Sequence, residues 1–184
     1  NVVTLNSARV YRPRLWWPSG HGYQSRYRMD LKMICQGELD RFDSRHIGFK
    51  SAALVDANRE SELKGKVPLV FNGKRLILKA RNCPADTSKL SVEQFLKQCE
   101  MAKYTMFNVP MQECAWFGEF VEACDVHGYV ICLHGGGEGR LIPIEAVDAD
   151  SLTSDQALAF KAFRHHASVA FVRLGPAAFH GKRV

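Results

Sequence analysis

The side chains best equipped for chemistry fall in four short stretches, each at the carboxyl end of an expected strand: Asn82 to Asp86, Asn108 to Glu113, His134 to Glu138, and the residues from Gly175 onward. They include three carboxylates, Asp86, Glu113 and Glu138. Two carboxyl groups held about 5–5.5 Å apart can cleave a glycosidic bond with retention, one as acid/base and the other as nucleophile. Spacing in the chain does not pair any two of them. The same residues also read as solvated loop acids, and Glu113 as a charge that a helix N-terminus favours.

Other chemistries fit less well. Gly135-Gly136-Gly137-Glu138-Gly139 has the glycines that let backbone N–H groups approach a phosphate. It lacks the Gly-Lys-Ser/Thr ending and the Gly-x-Gly-x-x-Gly spacing, and no helix follows at once, so it reads as a loop on the active-site side of the fold. Cys132, His134, His165 and His166 are metal-ligand types, yet no His-Glu-x-x-His or Cys-x-x-Cys pair accompanies them. The two adjacent histidines end a helix, where carbonyl groups favour an imidazole. Cys83 as a nucleophile would need a histidine base that the sequence does not place.

The elements that would position these groups come in two styles. Tyr27, Met29, Leu31 and Met33 alternate with charged residues, a strand period; a turn at Gln36-Gly37 follows, and Phe42 to Ala53 supplies a further strand or two. Asn58 to Lys66 is polar and reads as a linker. Beyond it, Asn72-Gly73 between apolar runs predicts a type I′ hairpin, because both central residues need positive φ. Ser91-Val92-Glu93-Gln94 and Thr153-Ser154-Asp155-Gln156 have capping-box spacing and open helices. Another helix, from Trp116, stops at Gly128, and strands are expected at Met106 to Met111, Tyr129 to Leu133 and Val169 to Leu174. Lys66 to Val184 is therefore an α/β layout with crossovers long enough for parallel strands. A doubly wound sheet and the first half of a (β/α)8 barrel fit it equally, and either gathers function at the carboxyl ends of its strands.

With 184 residues, of which 46% are hydrophobic and 24% charged, the chain can bury a real core, which excludes disorder as the main state. No apolar run approaches the roughly 20 residues of a membrane span. The chain does not begin with Met and reads as a piece of a longer polypeptide. Its net charge of +6 is concentrated before Asp30, in Arg9, Arg12, Arg14, Arg26 and Arg28. These alternate with tyrosines and tryptophans, as where guanidinium groups stack on aromatics at a β surface, and no recognition helix or zinc-finger spacing points to nucleic acid. Six cysteines without paired spacing read as buried thiols.

Taken in order, the motifs resemble glycoside hydrolase family two. Leu15-Trp16-Trp17-Pro18-Ser19-Gly20-His21-Gly22, the strand from Tyr27, and Arg45-His46-Ile47-Gly48-Phe49-Lys50 are similar to the closing strands of the immunoglobulin-like sandwich that precedes that family's barrel. Phe71-Asn72-Gly73-Lys74-Arg75-Leu76-Ile77-Leu78-Lys79-Ala80-Arg81-Asn82-Cys83-Pro84-Ala85-Asp86 is similar to its lead-in hairpin and first barrel strand. Phe120 to Val130 resembles the second helix and third strand, and Phe163 to Ala170 the approach to the fourth. The likeness runs over nearly the whole chain, toward the β-mannosidase, exo-β-glucosaminidase and β-galactosidase branches.

This resemblance implies an α/β plus β chain: the end of an immunoglobulin-like sandwich over residues 1–57, a linker over 58–66, and the first half of a (β/α)8 TIM barrel over 67–184. It implies exo-acting, retaining hydrolysis of a β-glycoside by two glutamates, with no cofactor and no metal; of the substrate contacts expected at the strand ends, Asn82, Asp86, Asn108, His134 and Glu138, only Asn82 and Asp86 keep their family identity. The departures fall on the chemistry. Pro176 and Ala177 stand where the family's Asn and acid/base Glu are expected, Cys83 replaces an aromatic, and the nucleophile belongs on a later strand, beyond Val184. The expected function is an inactive portion of such a hydrolase, or else a non-catalytic relative that binds carbohydrate or a protein. A half barrel would also leave two parallel strand edges open, which favours self-association or packing against the rest of a parent chain.

Overall fold

A computed structural model describes residues 9–55, 65–83, 91–111, 117–135, 139–148, 150 and 152–174. Strands β1 (Tyr27–Cys35) and β2 (Glu38–Ile47) form a separate two-stranded antiparallel ribbon. Its turn has Gln36 and Gly37 at φ 53° and 88°, the left-handed conformation that lets a two-residue loop follow the strand twist.

Next come β3 (Ala52–Leu54), β4 (Lys66–Phe71), β5 (Lys74–Asn82), α1 (Val92–Met101), β6 (Met106–Pro110), α2 (Phe117–His127), β7 (Val130–His134), β8 (Arg140–Pro143), a 3-10 turn at Ile144–Ala146, α3 (Ser154–Phe163) and β9 (Val169–Leu174). The strands make one mixed sheet in the order β3-β4-β5-β6-β7-β9-β8. Within it β5, β6, β7 and β9 are parallel, as the helical crossovers require, and β4 and β8 pair antiparallel with the two outer members of that set. The end strands β3 and β8 touch, so the sheet curls into a nearly closed barrel-like wall. Both parallel edges that the sequence reading left open are thus covered, one by β4 and the other by β8.

Local signals act as expected at the element ends. Asn72 and Gly73 have φ 50° and 79° between β4 and β5. Ser91 and Thr153 each accept the N–H three residues on, and Gln94 and Gln156 return the bond, completing both capping boxes. Gly128 closes α2 at φ 81°. The loop after β7 carries a strand that the sequence reading did not include: Leu141 and Ile142 in β8 pair with Arg173 and Val172 of β9.

Each face of the sheet has its own core. Outside, α1, α2 and α3 cover Phe107, Val109, Ile131, Leu133, Val169 and Val172, together with Phe95, Cys99, Phe120, Cys124 and Phe160. Inside, Trp16 packs with Leu69, Phe71, Leu78, Met106, Cys132, Leu141 and Phe171. Cys83, Cys99, Cys124 and Cys132 are buried, and none forms a disulfide among the described residues. No helix among the described residues is long and apolar enough to cross a membrane.

Candidate functional site

The alternation of side chains fixes what faces the carboxyl end of the parallel strands. Phe107 and Val109 belong to the helix-facing core, so Asn108 between them turns inward. Asn82 is its partner in register on β5, and Asn108 Nδ2 donates to Asn82 Oδ1 at 2.9 Å. Asn108 Oδ1 is buried and accepts no hydrogen bond from the described residues. On β7, Leu133 is helix-facing, and His134 follows it on the inner face. Arg173 lies between helix-facing Val172 and Leu174 and is the register partner of His134.

On the inner face Asn82, Asn108 and Cys132 are thus in register across β5, β6 and β7, and His134 and Arg173 pair two residues further toward the carboxyl end of β7. Asn82, Asn108 and His134 are expected substrate contacts. Asp86 and Glu138, the other two, lie outside the described residues, as does Ala177 at the expected acid/base position. Arg173 escaped the sequence reading, although Val172-Arg173-Leu174, a cation between two apolar residues at strand period, signals it. A rim of amide, imidazole and guanidinium groups offers hydrogen bonds to hydroxyl groups.

A second polar cluster sits at the opposite, amino end of the strands. Asp125 on α2 is fully buried; its carboxylate accepts from Ser168 N–H at 2.6 Å and from His166 Nδ1 at 2.8 Å. Arg26 donates to Glu122 at 2.7 Å beside it. Glu122, Asp125 and His166 have ligand atoms within 4.8 Å of one another, but these bonds already engage them. The cluster fastens the N-terminal segment to the barrel: Trp16 Nε1 donates to the Asp125 carbonyl, Ser19 N–H to the Gly128 carbonyl and Lys50 Nζ to the His166 carbonyl. A Cβ on Gly48 would run into Ala167, so only glycine permits this approach. His165 corrects the helix-terminus expectation. Burial, reinforced by neighbouring His166 and Arg45, lowers its pKa to about 4, so burial outweighs the helix end and the ring is neutral.

Comparison with known proteins follows this geometry. No family model matches the chain. It is 26% identical over 186 residues to a mannosylglycoprotein endo-beta-mannosidase of Lilium longiflorum, a match that takes in 91% of the chain and 19% of that protein. The chain is related to the family-two glycoside hydrolases. Among solved structures, the chain superposes on the Amycolatopsis orientalis exo-chitosanase at TM-score 0.61, with 20% identity over 87% of the chain and 20% of that protein. A beta-D-mannosidase from Dictyoglomus thermophilum gives TM-score 0.62, with 20% identity over the same 87% and 20%. The chain thus spans about a fifth of the length of the relatives it matches.

Proposed function

We propose that the chain is part of a β-glycoside-binding family-two protein, in which the strand-end rim receives the sugar. Residues 1–57 read as the end of an immunoglobulin-like sandwich, 58–66 as a linker and 67–184 as the first half of a TIM barrel. The observation that carries the reading is the Asn82–Asn108 pair: two inward amides on adjacent parallel strands, one with a carbonyl oxygen that accepts no hydrogen bond from the described residues. His134 and Arg173 lie along the same rim, and Asp86 and Glu138 join them in this reading. The similar proteins include two mannosidases and a chitosanase, which supports β-linked sugars as the substrate class.

Retaining chemistry needs a proton donor and a nucleophile. Pro176 and Ala177 stand at the expected acid/base position, and neither can donate a proton. Loss of a general acid costs about 10²- to 10⁴-fold in rate. The chain therefore binds a β-glycoside without turning it over. The alternative is a non-catalytic relative whose rim recognises a protein.

The test is a panel of aryl β-glycosides assayed with the 184-residue chain, with monosaccharide binding followed by NMR on the same chain and on Asn108→Ala. The expected result is no turnover, with saturable binding that Asn108→Ala weakens about tenfold, as loss of one well-placed polar contact does. Turnover by the unmodified chain overturns the inactive reading, and absence of sugar binding favours the protein-binding alternative.

A further inference from the structure

A cavity of about 410 Å³ opens at the amino end of the strands, on the far side of the fold from the sugar-binding rim, between the Gly48–Lys50 segment, the 3-10 turn after β8 and the end of α3. Phe49, Ile144, Val147 and Phe160 give it an apolar wall. Lys50, Arg164 and His165 give it a polar one.

The polar wall is short of partners. An ammonium has three N–H donors, and among the described residues that of Lys50 has a single long bond, 3.3 Å to the His166 carbonyl. Among the described residues no carboxylate reaches ion-pair distance of it; Glu145, at the rim, and buried Asp125 act on it only at longer range. Burial outweighs both acids and holds the Lys50 pKa down to about 8, the mark of a cation taken from water without a counter-ion. His165, also on this wall, has a buried Nδ1 with no hydrogen-bond partner among the described residues. The Arg164 guanidinium stands over the Phe160 ring, 5.7 Å from its centroid, which sets it against the apolar wall.

From this arrangement we infer that the cavity is a binding site for a small organic monocarboxylate, its carboxylate bonded to Lys50 and His165 and its apolar body against Phe49 and Phe160. A carboxylate at the ammonium makes a charge-assisted hydrogen bond where there is now one weak bond. Two features select a monoanion over phosphate. The carbonyl end of α3 and the Glu145 carboxylate both oppose added negative charge, and an inorganic ion would leave the apolar wall uncovered. None of this depends on the proposed sugar binding, which uses the other end of the strands.

Benzoate is a suitable probe, titrated at constant ionic strength while the Lys50 side-chain and His165 ring resonances are followed by NMR. The expected result is saturable, millimolar binding that shifts both residues, raises the pKa of Lys50, and weakens at least tenfold in Lys50→Met. Inorganic phosphate at the same concentration should not displace it. Absence of a saturable shift, unchanged affinity in Lys50→Met, or displacement by phosphate each overturns the assignment. Should Lys50→Met fail to fold, the rise in the Lys50 pKa in the unmodified chain decides: no rise with benzoate refutes the site.

Discussion

Lys50 and His165 share one cavity wall, and burial weakens the charged form of each, so they make stability depend on pH in separate windows. The unfolded chain protonates His165 near its ordinary value of 6.5, whereas the folded chain waits until about 4. Between those values the unfolded state binds the extra proton, and stability falls on acidification. The same relation for Lys50, about 8 folded against 10.5 unfolded, makes stability rise as pH climbs through that window, by up to about 3 kcal/mol. Urea unfolding across pH should show both slopes, with His165→Asn flattening the acid one and Lys50→Met the alkaline one. Asp125 is different, since its buried carboxylate holds Ser168 and His166 together. Asp125→Ala should cost about 3 kcal/mol in the same measurement, because it removes two short bonds and leaves their donors unmet. Residues of this kind are hard to read from sequence. Asp125 and His166 are 41 positions apart, and only the packing of α2 beside the start of β9 joins them. The positions of Asn82 and Asn108 were legible because each lies in the carboxyl half of an expected parallel strand, which fixes the end of the sheet it must occupy.

At the scale of elements, legibility followed the range of the forces involved. Both capping boxes and both two-residue hairpin turns are settled within four residues, and the sequence predicts them with little error. Ser91→Ala and Thr153→Ala should each lower stability by about 1 kcal/mol, measurable as a shift in the denaturation midpoint. β3 and β8, by contrast, have three and four residues, too few for a period to appear. Their partners lie well along the chain, and pairing rather than propensity makes them strands. Gly48 belongs to this class, for nothing local distinguishes it. Its place against Ala167 means that Gly48→Ala must push the 48–50 segment off the α3–β9 turn. A loss of about 1–3 kcal/mol is expected, as in overpacked cores, along with disturbance of the Lys50 resonances. Unchanged stability would show that the segment docks more loosely than this contact implies.

For the molecule as a whole, the decisive question is what covers the edges of the parallel sheet. Four parallel strands with both sides open would be a template for other chains. Here β4 covers β5, β8 covers β9, and the outer strands β3 and β8 approach each other around an interior filled by Trp16, Phe71 and Phe171. β8 is the weaker cover, being four residues long, and Leu141 anchors it by sitting almost wholly buried in the inner core beside the β9 pairing. Putting a carboxylate there removes apolar burial worth about 2–5 kcal/mol and places a charge in the interior, so β8 should lift from β9 while the helices and the β5–β6–β7 pairing remain. Sedimentation velocity of the unmodified chain should then show a monomer, and Leu141→Asp, with its helical circular dichroism retained, should associate in proportion to concentration. An unmodified chain that dimerises would mean that some surface other than the β9 edge, such as the exposed apolar residues Met29, Leu31 and Met33 of β1, governs assembly.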